Sequence, residues 1–211
     1  DVTYNNALDG HGKYLCLNES NWHLALVWGH GLQTFDQILS MIREHSGFET
    51  HYNNIMKIPR IEDIIQEVYK EDIVRVGQEH IRAKTDFLRD VEPSIGVVVF
   101  TDSYPDMNTQ GEGIWAAAVN SRVVNLKWRI RQQLNPQPVG VTERDEHGVY
   151  SHHHVIHISD TSEGVDSVLK FLKEPALEQI CDCARESWAR ETMTLWIRTI
   201  QTVTQTVILK L

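Results

Sequence analysis

Cysteine is scarce, and the three present (Cys16, Cys181 and Cys183) fall at no framework spacing. That excludes a disulfide-stapled scaffold and leads us to expect reducing surroundings. Cys181 and Cys183 lie in a helical pattern, so their side chains point about 200° apart and do not form a redox or metal pair. No apolar run is long enough to cross a bilayer, and no secretory signal is visible. A cytoplasmic protein without membrane contact is therefore expected. Basic residues are outnumbered, 20 against 29 acidic, for a formal net charge of −9. This argues against a nucleic-acid partner, which needs a basic field. A local basic pocket for a phosphorylated small molecule is still allowed. There is no phosphate-binding P-loop and no Gly-x-Ser-x-Gly elbow. Gly111-Glu-Gly113 is too short for a dinucleotide fingerprint. Asp102, Asp106, Glu112 and Asp160 form no recognisable acid pair. Asn18-Glu-Ser20 is a glycosylation triplet with nothing else to suggest secretion.

What is present is an ordinary globular composition: 211 residues, 41% hydrophobic and 23% charged. The expected organisation is an N-terminal extension over 1–21, one domain over 22–173 and a C-terminal extension over 174–211. Leu24 to Trp28 reads as a buried strand. Phe35, Ile38, Leu39 and Ile42 recur at helical spacing, with Gly47 beyond the end. Phe48 to Ile58 is a more polar strand. Pro59 opens a helix with Ile61, Ile64, Ile65 and Val68 on one face, and Glu79 to Leu88 forms another. Ile95 to Phe100 is β-branched and uncharged, which predicts a central strand. Thr101 to Gly113 reads as a loop and Ala116 to Leu134 as a helix striped by Val119, Val123, Leu126 and Ile130. Asn135-Pro136 ends that helix. A strand over 154–158 and a helix from Gly164 to Leu172 follow. The order β-α-β-α-α-β-α-β-α, two β-α-β halves, describes a ferredoxin-like α+β sandwich with an antiparallel sheet. Residues 176–211 read as an amphipathic helical tail whose apolar face covers either the domain's own sheet or a partner.

The most informative stretch is His154-Val-Ile-His157-Ile-Ser159-Asp160-Thr-Ser-Glu163. A short strand delivers a histidine beside a helix start rich in capping residues. A helix N-terminus welcomes an anion such as phosphate. Histidine titrates near neutral pH and can act as a nucleophile. Ser151-His152-His153-His154 with His157 also makes four histidines within six positions. On a continuous strand, His153 would share a face with Val155 and His157. A divalent metal site is weighed against a solvated His-rich loop; no Cys or carboxylate stands at ligand spacing. Trp115, Trp128 and Trp188 fall on helical patterns and read as core or interface.

The His157 segment resembles the active-site segment of nucleoside diphosphate kinases. The likeness runs from about Trp22 to Leu172 and includes the element order. His157 occupies the nucleophile position, and Ser159 and Asp160 match the Ser-Asp that follows it. Asn135-Pro136 matches a turn, and Arg144, thirteen positions before His157, matches a phosphate-binding arginine. Tyr69 and Arg75 match residues of the nucleotide-covering helices. The resemblance implies a phosphohistidine-type phosphotransferase, a nucleotide with Mg2+ as cofactor, and a homo-oligomer.

Several positions depart from the family. Its first strand ends with a phosphate-binding lysine; here Val27-Trp-Gly-His-Gly31 has none, and His30 stands in as a weaker cation. No aromatic stands near Gly77 to stack a base. The carboxylate that orients the catalytic imidazole falls at Val168. The clamping arginine falls at Trp128, flanked by Arg129 and Arg131. The asparagine before the histidine is His154. Three readings follow: a divergent phosphotransferase using His157 and Ser159 with Arg144, Arg129, Arg131, His30, Tyr69, Arg75, Asn135 and His154; a non-catalytic binding or assembly module; and a metal-dependent hydrolase.

Overall fold

The computed structural model describes residues 22–70, 78–89, 91, 93–111, 117–136, 153–159 and 163–173. The two extensions, with Arg75, Arg144, Asp160, Glu112, Trp115, Trp188 and the cysteines, lie outside the described residues. Strand β1 (Trp22–Val27) leads through a 3-10 turn (Gly29–Thr34) to α1 (Phe35–Arg43) and β2 (Phe48–Lys57). Helices α2 (Ile61–Val68) and α3 (Gln78–Leu88) precede β3 (Ser94–Asp102). A hairpin of β4 (Met107–Gln110) and β5 (Ala117–Asn120) then leads to α4 (Ser121–Leu134), β6 (Ile156–Ile158) and α5 (Glu163–Leu172).

The main sheet has the order β2-β3-β1-β6, antiparallel at every pairing. This is the α+β ferredoxin-like arrangement expected from the element order. Strands β1 and β3 are buried along almost their whole length and mostly apolar, because helices cover both faces of the sheet. Trp22, Leu24, Leu26 and Trp28 join Ile95, Val97 and Val99 beneath α2, α3 and α5. Ala25, Val27, Val98 and Phe100 face α1 and α4. Gly96 lets α1 lie close on β3: a Cβ there would sit 2.4 Å from the Phe35 ring. Gly47, at φ +84°, takes the left-handed conformation that ends the α1 connection.

Two expectations need correction. Residues 107–110 and 117–120 form a hairpin, where a loop and the first turn of a helix were expected. Alanine favours helix, but the ladder captures Ala117 and Ala118. The Asn120 side chain then caps α4 by accepting from the Arg122 amide at 3.1 Å. The final strand is also shorter than expected, covering only Ile156–Ile158. The alternation that grouped Val155 with His157 therefore fails: Val155 joins Ile156 and Ile158 on the α1/α4 face.

Candidate functional site

His157 stands opposite Leu26 in the ladder, so its side chain lies on the α2/α3/α5 face. Tyr69, at the C-terminal end of α2, meets it edge-on with ring centroids 5.1 Å apart. Burial pushes the His157 pKa well below the usual histidine range, and the charges of Lys127, Arg131 and Lys84 push it further down. The imidazole is therefore neutral at pH 7, with a lone pair available. No described carboxylate is among the charges that act on it. Among the described residues no hydrogen bond fixes the ring. Val168, where an orienting carboxylate was sought, is buried in the core instead.

The three cations come from two helices. Lys84 of α3 is 1% exposed, and its Nζ donates to the His154 carbonyl oxygen at 2.7 Å. It also lies 5.5 Å from the Trp28 ring centroid and 5.3 Å from that of Phe87. Burial, then the charge of Arg131, holds its pKa well below the usual lysine range. Lys127 and Arg131 of α4 are 7% and 5% exposed. Arg131 donates from Nε and Nη2 to the Ile156 carbonyl oxygen, at 3.2 and 3.0 Å. Its guanidinium lies 4.7 Å over the Trp128 ring. Lys84 and Lys127 were missed in the sequence, although a signal was there. Lys84 shares a helical face with Ile81 and Leu88, and Lys127 shares one with Val123 and Ile130. A cation at core spacing is the mark of a buried charge.

The other expected site residues separate into two groups. Asn135 and His154 are close to the cations. Asn135 Oδ1 accepts from the Val155 amide at 3.0 Å, so the turn after α4 fixes the chain just before β6. The His154 ring meets Trp128 edge-on at 5.8 Å. His30, Ser159 and Arg129 are engaged elsewhere. His30 Nε2 donates to the Phe87 carbonyl oxygen at 2.9 Å. Ser159 ties β6 to β1: its hydroxyl accepts from the Leu24 amide at 2.9 Å, and its own amide donates to the Leu24 carbonyl at 2.9 Å. Arg129 is exposed, and its charge acts on His45. No group of three or more metal-ligating side chains is assembled among the described residues. No described helix is long and apolar enough to cross a membrane.

A ferredoxin-like α+β domain with a strand histidine among buried cations is the class that the fold and site define. In solved structures the chain is similar to nucleoside diphosphate kinases. One from Encephalitozoon cuniculi, in its apo form, is 15% identical, with a TM-score of 0.42 over 72% of this chain and 88% of that one. An NDP kinase from Pyrobaculum aerophilum is 14% identical, with a TM-score of 0.41 over 76% of this chain and 98% of that one. A halophilic enzyme from Halobacterium salinarum, in complex with CDP, is 16% identical, with a TM-score of 0.37 over 78% and 86% of the respective chains. No protein-family model and no curated protein matches the chain.

Proposed function

We propose that the chain is a divergent phosphotransferase that handles a nucleotide or another phosphorylated small molecule through His157. The observation that supports this is the position of His157 on β6, where the buried cations Lys84 and Arg131 bind the carbonyl oxygens of its neighbours His154 and Ile156 and positive charge lowers the pKa of the imidazole. In this reading an imidazole nitrogen attacks the terminal phosphorus. A P–N bond forms as the bridging P–O bond breaks, and the leaving group departs with the electron pair. The cations offset charge on the phosphoryl oxygens. An acceptor oxygen then takes the phosphoryl group and the imidazole is restored. Tyr69 packs against the ring and limits its orientation. Arg144, Arg75 and a homo-oligomer contact through 176–211 belong to the same proposal.

The resemblance implies Mg2+ with the nucleotide. The described residues around His157 supply cations and no carboxylate, which does not fit an ion held by the chain. No step is derived through it.

Incubation with γ-labelled ATP, wild type beside His157→Ala, tests the proposal. Acid-labile, base-stable label that disappears in the variant is the expected result. No label, with no rise in melting temperature from any phosphate compound, would leave the second reading. That reading is a binding or assembly module, and the apolar Val168 in place of an orienting carboxylate favours it.

A further inference from the structure

Tyr69 meets His157 edge-on, so whatever holds Tyr69 also sets what the imidazole touches. Tyr69 caps the C-terminal end of α2, where its amide donates to the Ile65 carbonyl oxygen at 3.0 Å. Its ring also stacks on Trp28, with centroids 6.4 Å apart. Helices α2 and α5 share one apolar cluster, to which the first gives Ile61, Ile64 and Ile65 and the second Val165, Val168 and Leu169. Apolar burial is non-directional, so it does not by itself fix the last turn of α2 to one place on α5. A polar tie at the same junction does. Lys70 Nζ donates to Glu67 Oε1 at 2.8 Å and to Ser167 Oγ of α5 at 2.6 Å, and the Ser167 hydroxyl donates to Glu67 Oε1. Glu67 and Lys70 flank Tyr69 in the chain, and Ser167 precedes buried Val168. The triangle therefore joins the last turn of α2 to α5. The side chains of Lys70 and Glu67 are 49% and 26% exposed, so the ion pair is screened and adds little stability. Hydrogen bonds to charged groups are short and directional, and position is what they contribute here.

We infer that Glu67, Lys70 and Ser167 are positioning residues for His157: by pinning the end of α2 to α5 they hold the Tyr69 ring against the imidazole. For its functional consequence the inference rests on the phosphoryl-handling reading above. A reacting atom displaced by about 1 Å can lose about a hundredfold in rate. A tie of little worth to stability is then of large worth to the reaction.

Nuclear magnetic resonance of the full chain, with labelled histidine and tyrosine, reads the contact through the cross-peak between Tyr69 and His157 ring protons. His157→Ala identifies that peak by its loss. Glu67→Gln and Ser167→Ala, both at half-buried positions outside the core, are expected to weaken it. Ser167→Thr keeps the hydroxyl and is expected to retain it. Asp63→Asn, which breaks the exposed Arg60–Asp63 pair at 3.6 Å on the same helix, is expected to leave it unchanged. Wild-type strength in either Glu67→Gln or Ser167→Ala, or equal weakening in Asp63→Asn, overturns the inference. The second readout is labelling by γ-labelled ATP. In Glu67→Gln and Ser167→Ala the maximal rate should fall about tenfold, with the ATP concentration at half-maximal rate unchanged. An unchanged rate beside a weakened cross-peak overturns the functional role. If the wild type takes no label, the phosphoryl reading falls, and the cross-peak still decides whether the tie holds Tyr69 against His157.

Discussion

On the face covered by α1 and α4, polar groups form a continuous chain around buried Asp102, Asn120 and His23. His23 Nδ1 donates to the Ser159 carbonyl at 3.1 Å, and Asn120 Nδ2 lies 3.3 Å from His23 Nε2. Asn120 and Arg122 both donate to Asp102 Oδ2, at 3.0 and 2.9 Å. The Tyr104 amide takes the other carboxylate oxygen at 2.9 Å, and Arg122 continues to the Ser46 carbonyl. A carboxylate sits at the centre, with donors arranged around it. Around His157, whose side chain lies on the opposite face, the charges that act are those of Lys84 from α3 and of Lys127 and Arg131 from α4, all positive. The first arrangement neutralises a buried charge and ties the hairpin, β3 and β6 together. The second concentrates positive charge around a neutral imidazole, a disposition that suits an anionic ligand better than it suits folding.

The sharpest way to break this comparison is Asp102→Ala. It leaves Asn120 buried without its carboxylate partner and removes the ion pair of a half-buried Arg122, a loss of about 3 kcal/mol. Urea unfolding reads it, and a loss well under 1 kcal/mol would mean that the network is ornamental. Ser159→Ala comes next. It removes the hydroxyl that accepts from the Leu24 amide and should cost about 1 to 2 kcal/mol. If it instead abolishes labelling of His157 without a change in stability, Ser159 belongs to the chemistry.

A smaller effect comes from pH. His157, His153, His45 and His51 all have pKa values lowered from 6.5, with burial the first cause in each. Below about pH 6.5 the unfolded chain takes up protons that the folded chain refuses, so stability falls as pH drops through that value. Melting at pH 7.5 and 5.5 should show the lower temperature at pH 5.5; a flat profile would contradict the burial of these rings. The smallest effect has the opposite sign. Burial lowers the Lys84 pKa, so holding the ammonium charged in the folded chain opposes folding. Lys84→Met keeps the aliphatic stem, and a slightly higher melting temperature with weaker labelling of His157 by γ-labelled ATP is expected. A fall in melting temperature would place Lys84 with the stabilising groups.

The parts legible in the sequence share one trait. β1 and β3 each hold a run of consecutive apolar residues, Leu24–Val27 and Ile95–Phe100 around Gly96, and such a run fits a strand covered on both faces. The Asn135-Pro136 turn was legible from punctuation, because proline acts locally, and the strand at 156–158 and the helix at 163–172 were legible from their apolar pattern. The hairpin was not legible: in its β5 strand, Ala117-Ala118-Val119-Asn120, only Val119 favours a strand, and the pairing with polar β4 is set by the ladder and not by either segment alone. Lys84 and Lys127 were passed over because a lysine on a helix is by default solvated, and only neighbouring core positions mark it otherwise.

The sequence by itself determined the helical stripes, the two central strands, the order of the described elements apart from the hairpin, and a histidine in the short strand before α5. Local sterics, capping and apolar periodicity act over a few residues and need no fold to be read. Tertiary structure alone decided which face His157 occupies, that α3 and α4 bring Lys84, Lys127 and Arg131 to it, and that His30 and Ser159 are engaged elsewhere. Those outcomes depend on strand register and on which helix lies over which face. They bring together residues 135 positions apart in the chain, Leu24 and Ser159, and Lys84 with His154 across 70.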